Sequence, residues 1–352
     1  MRGRGERLAG LLGERELDRL LVSDLVNVRY LTGFGGTNGV CVCGRDLRLF
    51  LTDFRYTERA AAEVEGWEVV SVESDWLGGI AEHLSGRVGF EDDHLPVRTL
   101  RRLEDKLAEG VETVPAGGMV ESLRRVKDAA ELDAIAAASE LADEVWRWSL
   151  ERGLVGRTER EVARAAEARI RELGADPSFP AIVAAGPNGA LPHAEPSERE
   201  IGGGELVVFD MGAKLDGYCS DGTRTFATGE PGEEARTVYE VVRGAQEAAL
   251  AALAAGIGGE ALDAVAREAI EAAGYGERFG HGLGHGVGLE VHEAPRVSLR
   301  SEDLLEPGEV VTIEPGVYLP GRLGVRIEDL VVVTEGGCRN LSALPKELQL
   351  IG

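Results

Sequence analysis

The residues in this chain best placed to do chemistry are acids set where acids are costly. In Glu205-Leu-Val-Val-Phe-Asp210-Met-Gly-Ala-Lys-Leu-Asp-Gly-Tyr-Cys-Ser-Asp221, two β-like runs flank a turn at Lys214–Gly217. A two-residue loop at Leu215-Asp216 sets Asp210 directly opposite Asp221, and a loop at Asp216-Gly217 makes them diagonal neighbours. In both registers they share one face of the sheet, with Cβ atoms ~5–8 Å apart. Asp210 follows Val207, Val208 and Phe209, a run that reads as buried. Two facing carboxylates raise each other's pKa, so their joint presence calls for a cation.

The last quarter repeats the arrangement. Glu309-Val-Val-Thr-Ile-Glu314 and Val325-Arg-Ile-Glu328 are β-like runs joined around Pro320-Gly321, and pairing centred on Gly321 places Glu314 opposite Glu328. Each acid again ends an apolar run. Four inward carboxylates carry charge that two divalent ions would balance. Oxygen ligands with one imidazole suit Mn, Fe, Co or Zn and not a thiolate-rich zinc finger.

The imidazole has several candidates. Four of the six histidines lie in Leu191-Pro-His193-Ala-Glu-Pro196 and Gly280-His281-Gly-Leu-Gly-His285-Gly-Val-Gly-Leu-Glu-Val-His292-Glu293-Ala-Pro295. His281 and His285 have the spacing that on a helix would serve one metal, but glycine at every second position argues against a helix. The alternation is strand-like, with His281, Leu283, His285, Val287 and Leu289 on one face. The other face is bare backbone open to close approach. In a strand the two histidines lie ~13 Å apart, so one metal cannot take both. Spacing alone leaves the choice between them open.

These groups need a frame. The first ~115 residues alternate short β-like runs and helical stretches, which predicts an α/β layer. Strands are expected at Leu20–Val22, Gly39–Cys43, Leu47–Thr52, Trp67–Val72, Val88–Phe90 and Val111–Val114, with helices near Thr57–Glu65, Leu77–Leu84 and Leu100–Leu107. Pro115-Ala-Gly-Gly118 punctuates the chain and sets the expected domains at 1–118 and 119–352. Beyond it come long helices near Ala129–Leu150 and after the capping box Thr158-Glu-Arg-Glu161, then a β segment at Leu206–Thr228. Helices near Glu233–Ala255 and Glu260–Ala273 precede a second β-rich segment. Helix, helix, hairpin occurs twice, an internal repeat of element order within an α+β domain.

Composition narrows the partners. The formal net charge of −24 excludes nucleic acid and anionic membrane as natural ligands. No stretch approaches the ~18 apolar residues of a membrane span. Charged residues from Glu14 to Arg19 interrupt any signal-peptide core, so a cytoplasmic location is expected. Cys41, Cys43, Cys219 and Cys338 then read as free thiols.

The set Asp210, Asp221, His285, Glu314 and Glu328 resembles the five-ligand dinuclear site of the pita-bread metallopeptidases, in their X–Pro aminopeptidase and prolidase branch. The resemblance runs through Leu191–Pro196, Phe209–Thr225, His281–Pro295 and Val325–Asp329, and the first ~115 residues resemble the creatinase-type N-terminal domain. It implies two divalent ions, manganese first, with Asp210 on one, His285 and Glu314 on the other, and Asp221 and Glu328 bridging. A hydroxide between them would attack the carbonyl before proline, and Glu314 would serve as general base. His193 and His292 would donate hydrogen bonds to the substrate and to the developing oxyanion, while Arg326 would steady the bridging acids. His281, Phe179 and Arg296 would shape the substrate side of the pocket. The implied partners are proline-containing peptides and a second copy of the chain. The resemblance places X–Pro aminopeptidase first and X–Pro dipeptidase (prolidase) as the alternative. Methionine aminopeptidase and a non-catalytic pita-bread module that binds proteins are more distant readings.

Overall fold

Two long helices begin where side chains close their free N–H groups. Asp128 caps Ala129–Glu151 and Thr158 caps Glu159–Glu172, each with a full capping box completed by Glu131 and Glu161. The computed structural model describes residues 2–351, the side chain of Arg2 excepted. It divides into two compact units, Met1–Arg124 and Arg125–Gly352. Helix Met119–Arg125 thus falls almost wholly within the first unit, although the Pro-Gly punctuation precedes it.

In the first unit, β1 (Arg19–Val22), β2 (Val40–Gly44), β3 (Arg48–Thr52), β4 (Glu68–Ser71), β5 (Arg87–Phe90) and β6 (Glu112–Pro115) form one sheet in the order β4-β3-β2-β1-β5-β6. The pairs β1–β5, β3–β4 and β5–β6 are parallel, and β1–β2 and β2–β3 are antiparallel. All six strands fall where alternation places them. Three helices lack a sequence signal, Arg2–Glu14, Leu25–Thr32 and Met119–Arg125. The first contains Gly3, Gly5, Gly10 and Gly13, which lower helix propensity, and burial of Leu8 and Leu12 overrides that cost. The four cysteines are free thiols, and burial pushes Cys43 up to about 11.

In the second unit each hairpin is backed by its own pair of helices. Val207, Phe209 and Phe226 pack with Trp146, Val162 and Ile170. Ile313, Val325 and Ile327 pack with Val238, Val242, Leu262 and Ile270. The element order helix, helix, hairpin therefore occurs twice in space as in sequence.

The hairpin registers position the acids. Asp210 lies opposite Thr223 and Leu215 opposite Tyr218, so the loop is Asp216-Gly217, with φ of 48° and 86°. Both positive values belong to the tight turn that matches strand twist. Asp210 and Asp221 are consequently diagonal neighbours, the second of the two registers the sequence allows. In the other hairpin Gly316 faces Arg326 and Ile313 faces Asp329. That constant register sets Glu314 opposite Glu328, as pairing about Gly321 requires. At these two acids the ladder opens. Glu314 gives its N–H to Leu283 O (2.8 Å), and Glu328 gives its N–H to Thr223 O (3.0 Å), which ties the second hairpin to the first.

The glycine-histidine segment corrects the expectation of a long strand. Only Gly284–Gly286 is a strand, with a bulge between His285 and Gly286. Glycine is needed there because a Cβ at Gly284 would lie 1.9 Å from Thr312 O, and one at Gly286 would lie 2.2 Å from Ala294 O. The bare face is thus filled by the backbones on either side.

Candidate metal centre

Asp210 ends strand Leu206–Asp210, Asp221 precedes Thr223–Ala227, and Glu328 lies between Leu323–Arg326 and Asp329–Thr334. Asp221, His285 and Glu328 each offer a ligand atom, all within 4.8 Å of one another. His285 Nε2 lies 3.3 Å from Glu314 Oε1 and 3.6 Å from Asp221 Oδ2. Asp210 joins the group through Arg326. The structure therefore brings all five residues to one place.

His285 is oriented for this role. Its Nδ1 faces Gly286 O at 3.1 Å, and a carbonyl only accepts, so Nδ1 carries a proton and Nε2 is turned to the acids, where it donates to Glu314 in the metal-free protein and would offer its lone pair to a bound cation. His281 is different. Its Nδ1 donates to Gly282 O (2.8 Å), and its Nε2 lies 2.9 Å from the Tyr318 hydroxyl. Arg326 Nη1 donates to that hydroxyl (2.9 Å), so the hydroxyl proton goes to His281 Nε2. Both ring nitrogens are spent inside the protein. That places His281 as a support for Tyr318 and Arg326, not as a group presented to substrate.

The charge balance favours a cation. Arg326 is 4% exposed and holds Asp210, Tyr318, Thr223 Oγ1 (3.0 Å) and Pro192 O (3.1 Å). One guanidinium cannot neutralise four acids. Burial, followed by the charges of Glu328, Asp210 and Glu314, pushes Asp221 well above the carboxylate range. Burial and the same kind of repulsion push Glu328 well up too. Burial also raises Asp210, although Arg326 opposes it. Burial acts upward on Glu314 as well, but the His285 hydrogen bond and charge outweigh it and bring that carboxyl to about 2. His285 is correspondingly raised, burial being outweighed by Glu314.

Two buried oxygens, Asp210 Oδ1 and Glu328 Oε1, have no hydrogen-bond partner among the described residues. A buried unpaired carboxylate oxygen costs several kcal/mol, on the order of 3–5 when a charge loses its partner. An oxygen-rich donor set with one imidazole, excess negative charge and orphaned oxygens fits divalent cations.

The remaining candidates surround the acids unevenly. The His292 ring lies 4.3 Å from that of His285, is lowered by burial and by His285, and makes no hydrogen bond among the described residues. His193 is exposed and close enough to His281 and His292 to act electrostatically on both. Arg296 is exposed and directly opposite His285 in the ladder, so the two share a face. Phe179 is half-buried in the loop after Asp176–Pro177, and no ring contact among the described residues joins it to this group.

Three supporting residues escape the sequence reading. Thr223 Oγ1 donates to Glu328 Oε2 (2.7 Å), and Thr312 Oγ1 donates to Glu314 Oε1 (3.1 Å) while accepting the His285 N–H (3.1 Å). Tyr318 links Arg326 to His281. The threonines were derivable in principle, one opposite Asp210 and the other two positions before Glu314 on the same face. Tyr318 carries no such signal.

Comparison with known proteins identifies the family. Residues 133–335 match Metallopeptidase family M24, and residues 4–126 match the Creatinase/Prolidase N-terminal domain. The chain is 37% identical over 351 residues to an Xaa-Pro dipeptidase of Pyrococcus furiosus, covering 99% of this chain and 100% of that one. It superposes on the Xaa-Pro dipeptidase from Bacillus anthracis with a TM-score of 0.96 and 38% identity, over 99% of each chain. An X-Pro aminopeptidase from Thermotoga maritima gives a TM-score of 0.92 at 35% identity, over 99% of this chain and 100% of that one.

Proposed function

The chain belongs to metallopeptidase family M24, with a creatinase-type N-terminal domain before the pita-bread domain, and on that premise we propose that it is an X–Pro dipeptidase. The observation that carries this reading is likeness over the whole chain to proteins named Xaa-Pro dipeptidase. The sequence reading ranked X–Pro aminopeptidase first, and the relatives support its alternative better. The likeness to an X-Pro aminopeptidase keeps that activity as the second reading.

Asp210, Asp221, His285, Glu314 and Glu328 would hold two divalent ions. When bound, such ions polarise the scissile carbonyl and lower the pKa of water, so that a nucleophile exists at neutral pH. Arg326 and Thr223 hold Asp210 and Glu328 in place before any substrate arrives. Thr312 holds Glu314 Oε1, which would leave the other oxygen to take a proton from the attacking water and return it to the departing proline nitrogen. His292 and His193 offer ring N–H groups to the substrate and to the oxyanion as it develops.

An X–Pro bond has no N–H, so strand-like pairing cannot recognise it and shape must. A dipeptidase must also meet a free carboxylate just beyond the bond. We assign that role to Arg296, which is exposed and lies opposite His285 in the ladder. Manganese as the physiological ion, a homodimer and a cytoplasmic location belong to the same proposal. No helix among the described residues is long and apolar enough to cross a membrane.

Hydrolysis of an X–Pro dipeptide, an X–Pro–Y tripeptide and the tripeptide with Ala for Pro tests the reading. Cleavage of the dipeptide alone is expected. Cleavage of the Pro tripeptide but not of its Ala twin would establish the aminopeptidase instead.

A further inference from the structure

Helix Glu159–Glu172 begins with a carboxylate that has no surface role. Glu159 is 0% exposed, and no cation among the described residues lies within ion-pair distance of it. Arg199 feels the charge of Glu159 but is paired with Glu205. A buried carboxylate without a direct ion pair persists only if its oxygens are filled by hydrogen bonds. Here every donor comes from one short stretch of chain. Oε1 accepts Ala185 N–H (2.8 Å), both oxygens accept Asn188 Nδ2 (3.0 Å), and Oε2 accepts Ser197 N–H (3.0 Å) and Ser197 Oγ (2.6 Å).

These donors bracket the loop that carries His193. Between Ala185 and Ser197 the chain makes the turn Gly186–Ala190 and passes through Pro192, whose carbonyl accepts Arg326 Nη1 (3.1 Å). The loop backbone lies directly on the strand that carries Arg326: a Cβ at Gly324 would come within 1.8 Å of Gly189 O. The His193 ring makes no hydrogen bond among the described residues, so its place is set by the loop alone. The other half of the repeat has a counterpart. Asp263, also 0% exposed, accepts the Leu283 N–H (2.9 Å), and its partner Arg267 donates to the carbonyls of Phe279 and His281. In both halves the second helix supplies a buried acid that fixes a histidine-bearing loop.

Resting on the peptidase reading above, we propose that Glu159 is a positioning residue, which sets His193 by clamping both ends of its loop. A carboxylate is required because every group around it donates; glutamine would turn an NH2 towards N–H groups. Glu159→Gln, His193→Ala and the double variant, assayed on an X–Pro substrate, form a cycle. Hydrogen exchange of the metal-loaded proteins is read beside it.

In Glu159→Gln the amides of 186–197 should exchange at least about tenfold faster, with helix Ala129–Glu151 unchanged. Its kcat/KM should fall about tenfold, in the same parameter, kcat or KM, that His193→Ala changes. The double variant should be no worse than His193→Ala alone. Unchanged loop exchange, or losses that multiply as a general structural defect would make them, overturns the proposal. Should Glu159→Gln not fold, Ser197→Ala removes one donor and keeps the acid; the same readouts should move the same way by a smaller factor, and their failure to move overturns the proposal. If wild type cleaves no X–Pro substrate, the peptidase specificity is wrong, and loop exchange alone decides whether the clamp exists.

Discussion

Glu328 and Thr223 hold each other twice: the Glu328 N–H goes to the Thr223 carbonyl (3.0 Å), and the Thr223 hydroxyl goes to Glu328 Oε2 (2.7 Å). This one pair joins the hairpin of Glu314 and Glu328 to the hairpin of Asp210 and Asp221. It places a backbone junction and a carboxylate orientation at the same point. A break in the ladder at Glu328 is therefore what frees its N–H to make the junction.

Thr223→Val should separate the two functions. The backbone bond stays, while Glu328 loses its donor and Arg326 Nε loses an acceptor. Outer-shell losses of this kind lower metal affinity by about 10–100-fold. Calorimetric titration of the metal-free variant with Mn²⁺ should show that loss, with its circular dichroism unchanged.

Tyr318→Phe should release His281 and Arg326 together. The histidine now has its proton on Nδ1 and accepts at Nε2, and burial lowers its pKa. Nitrogen NMR of the wild type at pH 8 should show this single neutral tautomer. In Tyr318→Phe the Nε2 signal should move to that of an unbonded lone pair.

The metal-free protein should respond to pH with a definite sign. Asp210, Asp221 and Glu328 are raised above their unfolded values of about 4, so the stability they contribute is fully present below that pH. It is lost as pH rises through their folded values, and raised His285 acts in the same sense at higher pH. Glu314, lowered to about 2, acts oppositely, but only between about 2 and 4.5. The melting temperature of the metal-free protein should fall as pH rises from 5 to 8, and the increment gained on adding Mn²⁺ should grow over the same range. An increment independent of pH would contradict these protonation states.

Much of this was legible in the sequence, for identifiable reasons. Asp216-Gly217 and Pro320-Gly321 mark tight turns, and once the turns are placed, period-two alternation fixes which acids meet. The capping box at Thr158 located a helix start. The glycine run showed that backbones approach closely, but not that the strand would stop at Gly286, because a bulge depends on the neighbouring strand and leaves no residue signature. Helix Arg2–Glu14 was hidden by its glycines. Thr223, Thr312 and Tyr318 look like ordinary strand residues until the hairpins are brought together. His281 and His285 were equivalent by spacing, and Tyr318 separates them by occupying the first.

The most direct test of the two-ion centre is the metal content of wild type and Asp221→Asn, purified and loaded identically with Mn²⁺ and measured by mass spectrometry. The two proteins differ by one oxygen replaced with an NH2 at a buried carboxylate within reach of His285 and Glu328. Two ions per chain in the wild type, and their loss together with activity in the variant, is the predicted result. Two ions retained with full turnover in Asp221→Asn would contradict the assignment of the site.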